Sequence, residues 1–234
     1  MIKESSVNGL VGNAISAISR RIRNDELMPG DRLPSEAQLS KDLDVSRTVV
    51  REALRSLDAI RIIDLAAGKR ATVAHIGHSA MSMMIEHGIH TDQINIQQIY
   101  DVRRAIETRI VSLASIRRSD LEAQQILNLA HAMRAASNDP ELLMENDLAF
   151  HTALARASRN PVFELLVGSF QQITRQTWPF GWKSRTTLDA RETMIATHEA
   201  IASAIAKSDP HAAMDAMAIH FDESVYALLA AGMS

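Results

Sequence analysis

The chain has 234 residues, 46% hydrophobic and 23% charged, and no cysteine, which allows one large or two ordinary domains and excludes disulfides and thiolate metal ligation. The net charge of −3 is uneven: residues 1–78 hold 12 Lys+Arg against 10 Asp+Glu, and the remainder holds 13 against 18, so the first part is expected to meet an anionic partner. No window approaches the roughly 18 uninterrupted apolar residues of a membrane span, and MIKESSVNGL lacks the apolar core of a secretory signal, so a cytoplasmic protein is expected.

In chain order, residues 8–24 put Leu10, Val11, Ala14, Ile15, Ile18 and Ile22 on one helical face, and the MPG of 28–30 ends that unit. A second helix starts at Ser35, which follows Pro34 and has Gln38 three residues on, the pattern of a capping box. DLDV (42–45) is a short break, and Ser46 caps a third helix. RIIDL (61–65) and ATVAH (71–75) are expected as short strands around AAGKR (66–70), where Gly68 is free to take positive φ. Three helices and a β-hairpin make a winged helix-turn-helix over residues 1–76. Residues 77–93 are expected as a linker with one short helix. Helical periodicity then covers 94–116, 120–136, 141–157, 161–177, 188–207 and 210–231, so residues 94–234 predict an all-α antiparallel bundle. The fold class is mainly α.

The third helix carries a puzzle. Val50, Ala53, Leu54 and Leu57 supply its apolar face, while Arg47, Arg51 and Arg55 recur every four residues along another. Like charges at that spacing repel mildly, which a solvated face tolerates but does not reward. A DNA polyanion opposite the stripe accounts for it. A second helix-turn-helix helix meets the major groove with its N-terminus, where Arg47 and Thr48 reach bases. Arg51 and Arg55 then lie along the sugar-phosphate backbone. Ser35 and Ser46 at the helix starts join the expected DNA contacts, and so does the wing tip Gly68-Lys69-Arg70, which can reach a minor groove or flanking phosphates. One such helix offers few base contacts, so a homodimer on a pseudo-palindromic operator is expected.

GDRLPSEAQLSKDLDVSRTVVREALRSL (30–57) resembles the DNA-binding domain of GntR-type bacterial transcription regulators. Pro34, Ser35, Glu36, Leu39, Val45, Ser46, Arg47, Arg51, Glu52, Ala53 and Leu57 carry that resemblance. It departs at Ala37, where FadR-like members commonly have a basic DNA-reading residue, and at Ala67, where some have a His before the wing glycine.

In the bundle, each of four apolar stripes contains ionisable or polar residues. Arg103 lies among Ile96, Ile99, Ile106, Ile110 and Leu113; Asp147, with His151 beside it, lies among Leu143, Phe150 and Leu154. His198 lies among Met194, Ile201 and Ile205; His220 and Ser224 lie among Ala213, Met217 and Leu228. A single buried His is usually a core residue with one hydrogen bond, but an unpaired buried Asp is costly. Asp147 and His151, four apart on one helix, offer with His198 and His220 one carboxylate and three imidazoles. That donor set suits Zn²⁺ and also Ni²⁺, Mn²⁺ or Fe²⁺. YDVRRAIETRIVSLA, NDLAFHTALARASRNPVFELL and HEAIASAIAKSDPHAAMDAMAIHF resemble the FCD effector domain of FadR-like regulators. In its metal-binding branch an Asp-x3-His pair and two later His are the ligands, and these match Asp147, His151, His198 and His220. His75, His78, His87, His90, His131 and His211 fall outside the pattern.

An Arg beside a metal makes a clamp for a carboxylate, so Arg103 is expected to bind a small organic acid, as the resemblance also implies. TRQTWPFGWKSR (174–185) contains both tryptophans and is expected as a loop. Either it packs on the bundle or it forms an effector lid, in which case Trp178, Trp182 and Arg175 join the site. Catalysis is not expected, because the HExxH pattern with its helical Glu base is absent. The expected function is a repressor of a catabolic operon, released from operator DNA by an organic acid. A metal sensor without organic effector is the alternative, and a metal-dependent hydrolase a distant third.

Overall fold

The computed structural model describes residues 2–233, with side chains from residue 9 onward. Two compact units divide between Ala80 and Met81. Among the described residues there are ten α-helices and one two-stranded sheet.

The first unit contains α1 (Ile2–Asn24), α2 (Glu36–Asp42), α3 (Arg47–Ala59), β1 (Ile63–Asp64) and β2 (Thr72–Val73). Ile18 of α1, Leu39 of α2 and Val50, Ala53 and Leu57 of α3 are buried together with Leu33 and Ile63. Leu10, expected on the buried face of α1, is exposed, because that helix extends past the part of it that this small core covers. Ser35 caps α2 by accepting the N–H of Gln38. The other half of the expected capping box is not made, since the Gln38 side chain donates instead to Asp42 at 2.6 Å, where Arg21 of α1 also pairs. Between α2 and α3, Asp44 takes φ 51°, a left-handed conformation that short polar side chains tolerate. The hairpin strands are shorter than expected and pair antiparallel, with Ile63 opposite Val73. At the tip Gly68 has φ 70°, and Lys69 N–H donates to the Ala66 carbonyl.

The second unit is the bundle. α4 (Ser79–His90) packs Ile85 and Ile89 on its core, so the stretch expected as a linker contributes a packed helix. There follow α5 (Ile96–Arg117), α6 (Asp120–Ala135), α7 (Pro140–Ala157), α8 (Pro161–Ser184), α9 (Leu188–Ala206) and α10 (Pro210–Ala230), joined by two to four residues each. Asn95, Ser119, Asp139, Asn160, Thr187 and Asp209 each accept a backbone N–H of the first turn, the capping that fixes where a helix begins. Pro140, Pro161 and Pro210 occupy the first helical position, where a missing N–H costs nothing. α5 lies against α7 and α10, α6 against α7 and α9, and α8 against α7 and α10. Their shared core includes Ile110, Leu143, Phe150, Leu154, Ile201, Met217 and Phe221.

The loop expected at 174–185 is not a loop. α8 runs on through Pro179 to Ser184. An interior proline costs a helix about 3 kcal/mol. Trp178 and Trp182, one turn apart on either side of it, stack with ring centroids 5.4 Å apart. Trp182 is buried, with the Arg191 guanidinium 4.7 Å over its ring. Aromatic burial and stacking offset the break that Pro179 signals.

Candidate metal centre and nucleic-acid interface

The winged helix presents the expected cations to solvent. Ser46 caps α3 by accepting the N–H of Val49, which leaves Arg47 and Thr48 exposed in its first turn. Arg51 and Arg55 follow on the exposed side, while Val50, Ala53, Leu54 and Leu57 are buried. Arg51 pairs with Glu36 at 2.7 Å and Arg55 with Glu52 at 2.9 Å. Both pairs are solvent-exposed, so they are weak and exchangeable for phosphate. Ser35 and Ser46 engage their oxygens as cap acceptors, and Gly68, Lys69 and Arg70 form an exposed wing tip.

In the bundle, Asp147 and His151 of α7, His198 of α9 and His220 of α10 converge, all buried. Ligating nitrogens of the three histidines lie within 4.8 Å of one another. Asp147 Oδ1 is 2.8 Å from His198 Nε2 and 3.9 Å from His151 Nε2. His198 Nδ1 is 2.8 Å from the Met194 carbonyl. A carbonyl only accepts, so Nδ1 carries the proton and Nε2 turns toward the cluster. His151 Nδ1 is held by Glu107 Oε2, which leaves its Nε2 fully buried with no hydrogen-bond partner among the described residues. A buried polar atom without a partner is uncommon and calls for an explanation. Burial drives the His220 imidazole well below its usual value, with His198, His151, Arg103 and Arg185 adding to the effect, so it is neutral and has a lone pair to give. Burial pushes the Asp147 carboxyl up, but the adjoining His198, His151 and then Arg103 outweigh it and hold it below the usual carboxylate value. The donor set therefore fits a divalent metal, and each outer ring nitrogen traced here is tied back to a carboxylate or a carbonyl, as metal-binding histidines require.

Glu107 is the residue that the sequence reading missed. It is 1% exposed and bridges His151 to Arg103, whose Nε donates to it at 2.9 Å. Burial pushes its carboxyl up, and the His151 and Arg103 charges and hydrogen bonds bring it below the usual carboxylate value. Its signal was present: an Arg inside an apolar stripe needs a buried carboxylate, and Glu107 lies four residues on. Arg103 lines the cavity over the metal cluster, but Glu107 and Thr174 hold its guanidinium.

That cavity has a volume of about 40 Å³, with Tyr100, Thr174, Trp178, Gly181, Arg185 and Ser224 in its walls. Trp178 is thus at the cavity as expected. Trp182 is packed beneath Arg191 and does not line it. Arg175 is turned outward and pairs with Glu145 of α7: once 174–185 is helix, residue 175 falls on the flank of α8, beside the cavity-lining face formed by Thr174, Trp178, Gly181 and Arg185.

A winged helix-turn-helix with an exposed arginine stripe, followed by an all-α bundle around a buried His/Asp cluster, is the architecture of a DNA-binding transcription regulator. Residues 10–73 match the profile of bacterial regulatory proteins of the gntR family, and residues 98–223 match the FCD domain. The chain belongs to this family, in its FadR-like, FCD-containing branch. It is 29% identical to the HTH-type transcriptional regulator LutR of Bacillus subtilis, over 85% of this chain and 92% of that one. It is 30% identical to the Uxu operon transcriptional regulator of Escherichia coli, over 86% and 79%. The Galactonate operon transcriptional repressor of E. coli is 27% identical, over 86% and 89%. Among solved structures, Streptococcus agalactiae GntR superposes with a TM-score of 0.66 at 24% identity, covering 91% of this chain and 97% of that one. No helix among the described residues is long and apolar enough to cross a membrane.

Proposed function

We propose that this regulator is a cytoplasmic homodimeric repressor of a catabolic operon, and that a small organic acid releases it from operator DNA by binding at a divalent metal. Asp147, His151, His198 and His220 hold the metal; Zn²⁺ suits three imidazoles and one carboxylate best, with Ni²⁺, Mn²⁺ and Fe²⁺ sharing those preferences. The carrying observation is the buried His151 Nε2, oriented by Glu107 on its far side and left without a partner. A relative named for the galactonate operon supports an acid-catabolic role. The metal, when bound, supplies a fixed positive charge and open coordination positions for an acid oxygen. The chain's own residues orient the donors and exclude bulk water.

The test joins two measurements on purified full-length protein: elemental analysis, and operator mobility shifts with and without chelator across a panel of organic acids. About one divalent ion per chain and acid-dependent release of operator are expected. Absence of metal, with no uptake from Zn²⁺, Ni²⁺ or Mn²⁺, overturns the metal assignment. A second reading, a metal sensor without organic effector, draws on the cavity's size: 40 Å³ admits an ion with a water or two. Operator binding that responds to metal and to no acid selects it.

A further inference from the structure

The bundle has a second, larger cavity, of about 480 Å³, where the α8–α9 connection faces α10. Its wall is largely apolar, with the hydroxyls of Ser184, Thr186, Thr187, Thr193 and Tyr226 and two carboxylates, Glu223 and Asp222, the latter paired with Arg104. One residue lines both this cavity and the small one over the metal cluster: Arg185, which ends α8.

Two arginines therefore face the inner cavity, and they differ. Arg103 is neutralised by Glu107 at 2.9 Å. Arg185 is half-buried, and its guanidinium donates to the Gly181 carbonyl at 2.8 Å with no carboxylate within 4.0 Å among the described residues. A half-buried guanidinium satisfied by one neutral carbonyl gains from a carboxylate, because charge-assisted bidentate bonds are the strong ones. Burial already pulls this guanidinium below its usual value, against the pull of Glu223, Asp147 and Tyr100.

We infer that Arg185, which lines both cavities, is the residue that receives the carboxylate of an organic acid, while the acid's hydroxylated body occupies the outer cavity. This rests on the organic-acid reading above. It also meets the mismatch of size, since the inner cavity of about 40 Å³ holds little more than an ion and its water, whereas the outer one, of about 480 Å³, has room for the body of a five- or six-carbon acid. Arg103 on this view is a positioning residue, fixing Glu107 and through it His151.

The test uses metal-loaded full-length protein and two acids of equal carbon number, gluconate and hexanoate, titrated while following tryptophan fluorescence. Trp178 and Trp182 are the chain's two tryptophans, and Trp178 lines the inner cavity. Gluconate should bind wild type more tightly than hexanoate. Arg185→Ala should weaken it about 10–100-fold, the worth of hydrogen bonds to a charged group, with Arg185→Lys in between. Metal content and operator affinity without acid should stay at wild-type values in both variants, which separates a lost ligand contact from a damaged fold. Arg185→Ala binding gluconate as wild type does overturns the assignment. So does hexanoate binding as well as gluconate, or gluconate failing to bind wild type. A failure of the functional reading shows elsewhere, as absent metal or absent operator binding in wild type.

Discussion

Glu107 joins a metal-facing histidine to a buried arginine, so changes at either end of the bridge should have different consequences. Glu107→Gln preserves the shape but loses the charge that orients His151 Nδ1–H. Outer partners of this kind are worth about 10–100-fold in metal affinity, and that loss should appear in a chelator competition. Arg103→Ala removes the counter-charge from a carboxylate that is 1% exposed. Stranding one partner of a buried pair costs about 3–5 kcal/mol, which urea unfolding of the apo protein should register. If Arg103→Ala unfolds at the wild-type midpoint, the pair does not bear on stability. The four metal candidates were legible because each interrupts an apolar stripe at helical spacing. Glu107 escaped notice because it borders Ile106 on a helix with other charged residues, although Arg103, four residues earlier in the apolar stripe, called for a buried carboxylate. Arg175 went the other way. Its position depends on whether 174–185 is loop or helix, and Pro179 gave the wrong signal.

The elements show the same division between local and tertiary causes. Helix starts were readable because caps and first-turn prolines act locally. The end of α8 was not, because the stacking of Trp178 on Trp182 and the burial of Trp182 in the bundle come from packing. Pro179→Ala should restore a helical N–H and raise the thermal midpoint, with up to about 3 kcal/mol available; a fall would mean that the proline's bend is needed for the tryptophans to seat. At the start of α6, Ser119→Ala should cost about 1 kcal/mol. The backbone N–H of Ser119 holds the Glu122 carboxyl below its usual value, outweighing burial, with the Ser119 hydroxyl and Arg159 assisting. A depressed carboxyl stabilises the fold above its unfolded-state value and loses that contribution as pH falls through its folded one. Of the two bonds to that carboxyl, Ser119→Ala keeps the backbone N–H and loses the hydroxyl's, so the share of the gap that the lost bond contributes should vanish in acid below the ordinary carboxylate range, as denaturation at several pH values would reveal. On α3, Arg47→Ala should lose about 1–3 kcal/mol of operator affinity and relax specificity, while Arg51→Ala should lower the salt slope by about one if its partner is phosphate. Unchanged operator affinity at fixed salt for Arg47→Ala would place that residue away from the bases.

At the scale of the whole molecule, the question is how occupancy of the bundle reaches operator affinity. α8 is the element to examine. Thr174 holds Arg103, Trp178 lines the inner cavity, and between them Gln176 donates to Glu86 of α4 at 2.7 Å. α4 begins at Ser79, beside the sequence boundary of the two units, and its Ile85 and Ile89 rest on the bundle core. If a bound acid shifts α8, the Gln176–Glu86 bond offers a route to α4. Linkage imposes a condition on any such relay: an acid that weakens operator binding must bind the operator-bound protein more weakly by the same factor, typically about 5–150-fold. Gln176→Leu, which cuts the α8–α4 bond while sparing the cavity wall, should leave acid affinity and acid-free operator affinity near wild type and bring that factor toward one. Calorimetry of the acid with and without operator DNA, repeated on the variant, measures both sides of the cycle. A variant that keeps the wild-type factor rules out the Gln176–Glu86 bond as the relay. A wild type in which acid binds equally to free and DNA-bound protein rules out coupling itself, because a ligand with equal affinity for both states shifts no equilibrium.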